Sequence, residues 1–197
     1  MAHQGQKKGG FQKREPKEFE EEVIQIDRVT KVVKGGRTLR FRATVAIGDK
    51  KGRVGVGIGK SHEVTGAIQK AIAKAKKCLV TVIIDGTTIP HDLKIKHKSS
   101  KILLMPAAEG TGIIAGGSIR KVLTLAGYKD ILSKSFGTTN KLNNTKATYE
   151  ALKLMRETPM MARKAAKAKE AEKKAAPAKK TAEKPTEKKP EAKTSTK

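Results

Sequence analysis

The chain has 197 residues, with 44 Lys+Arg against 19 Asp+Glu, a formal net charge of +25, 3% aromatic residues and no Trp. No run approaches the ~18–20 apolar residues of a membrane span, and a single cysteine, Cys78, excludes an internal disulfide framework. The opening MAHQGQKKGGFQKREPKEFEEE has no apolar stretch, so no secretory signal is expected. No Trp-anchored amphipathic helix offers itself to a membrane surface. The balance points to a polyanionic partner.

Residues 1–18 hold five basic and two acidic residues and read as a disordered arm. Residues 162–197 lack Val, Ile, Leu, Met, Phe and Tyr, carry a net +8, and read as a disordered Lys/Ala/Pro/Glu tail. Such segments cannot bury enough apolar surface to offset their ordering entropy. The stretch 19–161 still carries a net +14, so the folding part itself is expected to face an anion, most plausibly a phosphate backbone.

A first domain is expected over 20–83. Glu22–Val33 is β-branched and strand-like, Gly35-Gly36 marks a turn, and Leu39–Gly48 alternates. In that second strand Leu39, Phe41, Ala43, Val45 and Ile47 share one face, and Arg40, Arg42 and Thr44 the other. Asp49–Gly52 turns into a third strand, Val54–Ile58, whose Gly55 and Gly57 admit another backbone or a ligand. A helix follows from about Glu63 to Leu79, with Ser61 as N-cap and Val64, Ala67, Ile68, Ala71, Ile72, Ala75 and Leu79 as its core face. Cys78 is expected to be buried near its end. The basic hairpin KVVKGGR and the lysine-coated helix suit structured RNA, which is read through shape and phosphate.

A second domain is expected over 84–161. Strand candidates are Val80–Ile84, Ile89–His97 and Ile102–Met105, with turns at Asp85-Gly86 and Pro106. A glycine-dense connection, Gly110–Gly117, leads to a helix over Ser118–Ala126 with Ile119, Val122, Leu123 and Ala126 buried. Asp130–Phe136 reads as a strand. A last helix starts at Asn140 or Asn143 and ends near Glu157, with Ala147, Ala151, Leu152, Leu154 and Met155 apolar and Thr158-Pro159 stopping it. The class is α+β, and two such small units are expected to pack together.

Catalytic patterns are weak. GVGIGKS at 55–61 misses the phosphate-loop spacing by one residue, because Val54 stands where glycine is needed. Gly110-x-Gly112-x-x-Ala115 fits a dinucleotide fingerprint alone, without a doubly wound fold around it, and reads as a tight strand-to-helix connection with exposed amides. His62, His91 and His97 lack metal-ligand spacing and read as surface or RNA-facing. Asp85, Asp92, Glu109 and Asp130 show no paired-carboxylate logic, so neither catalysis, metal nor cofactor is expected.

Three runs carry a resemblance. VKGGRTLRFRATVAIGDKKGRVGVGIGKSHEVTGAIQKA, PAAEGTGIIAGGSIRKVLTLAG and SFGTTNKLNNTKATYEAL together resemble the bacterial-type ribosomal protein S5 family over about 20–160. The resemblance implies a double-stranded-RNA-binding-like β-β-β-α domain without its leading helix, then a left-handed β-α-β type domain. It implies a structural constituent of the small ribosomal subunit, in the cytoplasm with an organellar ribosome left open. Such a protein binds small-subunit rRNA, steadies head against body, and contributes to accuracy with ribosomal proteins S4 and S12. Implied neighbours are S4, S8 (near 135–152) and the region where mRNA enters. The implied rRNA contacts are Arg28, Thr30, Lys31, Lys34, Gly35, Gly36, Arg37, Arg53, Lys60, Lys70 and Lys74, and Gly112 and Arg120 fall in the segment like the S4 interface. Two other readings stand beside it: a free regulator binding double-stranded RNA, and a nucleotide-dependent enzyme using Gly110–Gly117.

Overall fold

Alternating β-branched residues put the first third of the chain into an antiparallel meander. The computed structural model describes residues 18–156. The expected arm before residue 18, the tail at 162–197 and the helix stop at Thr158-Pro159 lie outside the described residues. Strands β1 (Glu20–Val33), β2 (Gly36–Gly48) and β3 (Arg53–Ser61) pair in sequence order, and the short β4 (Leu79–Thr81) closes the far edge on β3. Helix α1 (Val64–Lys77) connects β3 to β4.

The way α1 seats on this sheet is written in small residues. Gly55, Gly57 and Gly59 alternate along β3, and Ala67, Ala71 and Ala75 recur every fourth residue on α1. A Cβ added at Gly57 would lie 2.0 Å from the Ala71 carbonyl oxygen; at Gly59, 2.1 Å from that of Ala67; at Gly55, 2.5 Å from that of Ala75. The expectation of another backbone close to Gly55 and Gly57 is met by α1. Large side chains are few in this core, so it depends on dispersion at close range.

The second half forms another sheet in the order β5-β6-β8-β7, from β5 (Leu93–His97), β6 (Ser100–Pro106), β7 (Ile113–Ile114) and β8 (Ile131–Phe136). Helix α2 (Gly117–Ala126) joins the parallel pair β7 and β8, and α3 (Lys141–Leu154) follows. The mixed α+β class is thus an antiparallel sheet followed by a β-α-β sheet. Its core is larger: Ile102, Leu104, Ile119, Leu123, Ile131 and Leu152 are fully buried, each contributing about 1.5–3 kcal/mol relative to exposure.

That core crosses from one half to the other. Ala46 of β2 and Val54 of β3 belong to it, whereas Ala43, Val45 and Ile47 of β2 face α1. The expected single buried face on Leu39–Gly48 is corrected: from Ala43 onward both faces are buried, because α2 packs on this end of β2, with Leu125 against Gly48 and Ala46 in the second core. The β2–β3 turn also caps α2. Lys50 N–H donates to the Leu125 carbonyl (3.0 Å) and Gly52 N–H to that of Ala126 (3.0 Å), satisfying acceptors that a helix end leaves orphaned.

Other expectations need correction. Ser61 still pairs with Phe41 as the end of β3, so the N-cap of α1 is Glu63, without a side-chain cap bond. Helix α1 stops at Lys77, Leu79 opens β4, and Cys78 at the junction is exposed rather than buried. The strand expected at Val80–Ile84 shrinks to Leu79–Thr81, as Val82 turns into the second core. Strand β7 was not expected. Leu154 is 60% exposed, not part of the core stripe. The Asn140 alternative holds, its side chain accepting from the Leu142 amide at 3.1 Å.

Candidate nucleic-acid interface

Strand β3 ends opposite Phe41, so β1 and β2 run on beyond it as a two-stranded arm. The paired residues beyond that point, Val29↔Arg40 through Val33↔Gly36, extend it by about 15–20 Å at ~3.4 Å per residue. The turn is Lys34-Gly35, one residue earlier than expected, and Gly36 pairs with Val33. Residues 30–37 are all exposed.

Alternation sorts the arm into two faces. Val29, Lys31, Val33, Thr38 and Arg40 share one face, which continues into Lys60 and bounds a cleft of ≈ 360 Å³. Arg28, Thr30, Val32, Arg37 and Leu39 share the other. Arg28, Lys31, Lys34, Arg37 and Arg40 have no ion-pair partner among the described residues. Val32 (74% exposed), Val33 and Leu39 place apolar surface between these cations. The arm's root is fixed by a cross-strand pair: Arg42 Nη2 reaches Asp27 Oδ2 at 2.7 Å and its Nε donates at 3.1 Å, while Gln25 donates to the other oxygen. The Arg42 hydrogen bond holds the Asp27 carboxyl below its ordinary range. Arg42 is therefore committed to structure, whereas Arg40 has no ion-pair partner among the described residues.

The remaining expected contacts do not all join the arm. Lys60 does, at its base. Lys70 and Lys74 are exposed on α1. Lys74 meets Lys77, Lys146 and Lys153 around a second cleft of ≈ 550 Å³ between α1 and α3, floored by Val56 and Ile58. Arg53 starts β3, at the opposite end of the sheet from the arm. Its Nε donates to Asp49 Oδ2 at 2.7 Å, and its guanidinium lies 5.2 Å from the Phe19 ring centroid. That ion pair explains its position locally.

Gly112 and Arg120 sit elsewhere again. Gly110 and Gly112 have φ of +87° and +76°, a region that favours glycine. Their amides both donate to Asp130 Oδ1, at 3.1 and 2.8 Å. The Gly112 amide, then the Thr87 hydroxyl and the Gly110 amide, hold the Asp130 carboxyl below its ordinary range despite its burial. Of the amides expected to stay open to phosphate, those of Gly110 and Gly112 are thus taken internally, and Asp130 is the organising residue that spacing did not reveal. Arg120 is exposed on α2. His97, expected on the surface or facing RNA, is half-buried at the lysine cleft: its Nδ1 pairs with Glu150 Oε2 at 2.7 Å, and its Nε2 is buried without a partner among the described residues.

A family model for the ribosomal protein S5 N-terminal domain matches residues 19–83, and one for the ribosomal protein S5 C-terminal domain matches residues 95–165. Together they cover most of the chain. The chain belongs to the ribosomal protein S5 family. It is a non-enzymatic, ribosome-associated protein of the small subunit that binds rRNA. Gly110–Gly117 accordingly has no nucleotide chemistry to perform.

Within this S5 chain, sequence reasoning missed Arg40, Lys146 and Lys153 as site candidates. Arg40 had a signal, since it alternates with Thr38 on a strand that outruns its neighbour. Lys146 and Lys153 had none, because only the packing of α3 beside α1 brings them to Lys74.

Proposed function

We propose that the β1–β2 arm is the principal rRNA-reaching element, contacting phosphates through Arg28, Thr30, Lys31, Lys34 and Arg37, with Gly35 and Gly36 allowing close approach at the tip. Arg40 and Lys60 extend the contact to the arm's base. The observation that carries this reading is the arm itself: two strands without a third, exposed around the tip, with five cations that have no ion-pair partner among the described residues. Lys70, and Lys74 with its lysine cleft, form a second rRNA contact. Arg53 is the weakest member of the set, given its Asp49 pair.

In this reading the arm links rRNA elements of the head to the body, and Gly112 and Arg120 meet ribosomal protein S4. Support comes from the exposed Arg120 beside a loop that Asp130 holds rigid. S8 would meet the exposed side of α3, and S5 would then influence accuracy together with S4 and S12 near the region where mRNA enters. The test is a full-length Lys31→Gln, Lys34→Gln, Arg37→Gln variant titrated with small-subunit rRNA at several salt concentrations. The log–log salt slope should become shallower by about 2–3 with an unchanged melting midpoint. An unchanged slope would overturn the arm's role.

A further inference from the structure

Among the described residues, the second sheet is covered on one side only. Ile102, Leu104 and Ile131 point into the core that α2 and α3 complete. Alternation sends their neighbours to the opposite face, and Leu103, Met105, Ile114 and Leu132 belong to neither core. The strand register sorts this outer face into rows. Lys96, Lys101 and Phe136 stand abreast on β5, β6 and β8, and Lys94, Leu103 and Lys134 follow in the next row. Met105, Leu132 and Ile114 form the third, on β6, β8 and β7. A cationic end thus grades into an apolar end over about 14 Å of strand.

Charge is the first pointer to an occupant. Lys94, Lys96, Lys101 and Lys134 are all exposed, and none has an ion-pair partner among the described residues. The four strands contain no Asp or Glu. The register is the second pointer. Lys96 lies directly opposite Lys101, and like charges in that position repel and destabilise a sheet. A polyanion lying across both would relieve the repulsion. The third is Phe136, 46% exposed at the end of the same row. A ring left in solvent beside cations offers a nucleobase a surface to stack on.

We propose that this open face binds an unpaired segment of small-subunit rRNA, with phosphates on Lys96, Lys101 and Lys134 and a base stacked on Phe136. Unpaired RNA is favoured over duplex because its bases can splay out onto a ring, whereas an A-form helix keeps its bases stacked inside. A protein partner is disfavoured by the lysine rows, since lysine is depleted where protein surfaces meet. The proposal rests on the rRNA-binding reading and uses no residue of the arm or of the lysine cleft.

The chain has no Trp, so Phe136→Trp places a single indole on this face of the full-length protein. An oligoadenylate of about ten nucleotides should quench that indole saturably, as should small-subunit rRNA, and an RNA duplex of the same length should not. Phe136→Ala should weaken oligoadenylate binding by about fivefold or more. Lys96→Gln with Lys101→Gln should make the log–log salt slope of that binding shallower by about 1.4. The melting midpoint of this double variant should not fall, because a repulsion is removed. The quench should persist in the Lys31→Gln, Lys34→Gln, Arg37→Gln variant, so this proposal and the arm's role fail separately. An indole that stays unquenched while labelled oligoadenylate binds the protein would overturn the proposal, as would equal quenching by duplex. Unchanged RNA binding in Phe136→Ala and in the lysine variant, with weakened binding to a ribosomal protein, would also overturn it and assign the face to that protein.

Discussion

Two glycine-rich segments of this chain look alike on paper and behave oppositely in the fold. In β3 the glycines at 55, 57 and 59 fall on one face, and their missing side chains make room for α1. In the Gly110–Gly117 connection, Gly110 and Gly112 have open space around them, and what they supply is positive φ. Period two on a strand means close packing; irregular spacing in a loop means an unusual backbone. Both can imitate a phosphate-binding motif, but the β3 face seats α1, and the Gly110 and Gly112 amides are taken by Asp130.

The sharpest way to break this contrast is Gly57→Ala. The new Cβ would lie 2.0 Å from the Ala71 carbonyl oxygen, against backbone that cannot rotate away. A loss of about 3 kcal/mol or more is expected, read as a lowered urea midpoint or failure to fold. A midpoint within experimental scatter of wild type would refute the close-packing account.

Asp130→Asn probes the other segment and should cost less. The carboxylate accepts from two loop amides and is held below its ordinary pKa of 3.8. A lowered folded pKa means the stabilisation is complete above 3.8 and is lost as pH falls through the lower folded value. The wild-type advantage over Asp130→Asn should therefore hold from about pH 8 to 5 and close below about 4. A gap that persists unchanged at pH 2 would show that charge is not what holds the loop.

The smallest stability effect belongs to Arg120→Glu, an exposed position just beyond the loop. The melting midpoint should move by no more than about 0.5 kcal/mol equivalent, while affinity for S4 falls and stop-codon readthrough in cells changes. Wild-type readthrough together with wild-type S4 affinity would remove Arg120 from that interface.

Much of this was legible because the periodicities were strong. The α1 stripe of Ala67, Ala71 and Ala75 and the α2 stripe of Ile119, Val122, Leu123 and Ala126 appear where the pattern put them. What was not legible depended on partners far along the chain. Thr44 reads as part of an outer face with Arg40 and Arg42, because nothing local announces that α2 will pack on the end of β2. Strand β7 is two residues long and exists through its parallel pairing with β8, which a local reading cannot see. Asp130 reads in the sequence as the first residue of a strand; the strand starts at Ile131, and the Asp130 carboxylate instead accepts from amides 18 and 20 residues away, which no local pattern announces. In the candidate site, the arm was visible as a basic hairpin, but its length came from β3 ending early. The lysine cleft arises only because α1 and α3, from different segments, meet.

The double burial of β2 carries a consequence for how the chain comes to exist. Its α1-facing residues can collapse as soon as α1 is made, but Ala46 and Val54, with Ile24, wait for α2 and α3 to arrive. A nascent chain halted near residue 83 would hold its first sheet with one apolar face in water. The sheet that roots the arm therefore reaches full rigidity only after α2 and α3 have been made, so an element near the start of the chain is anchored by helices more than 80 residues further on.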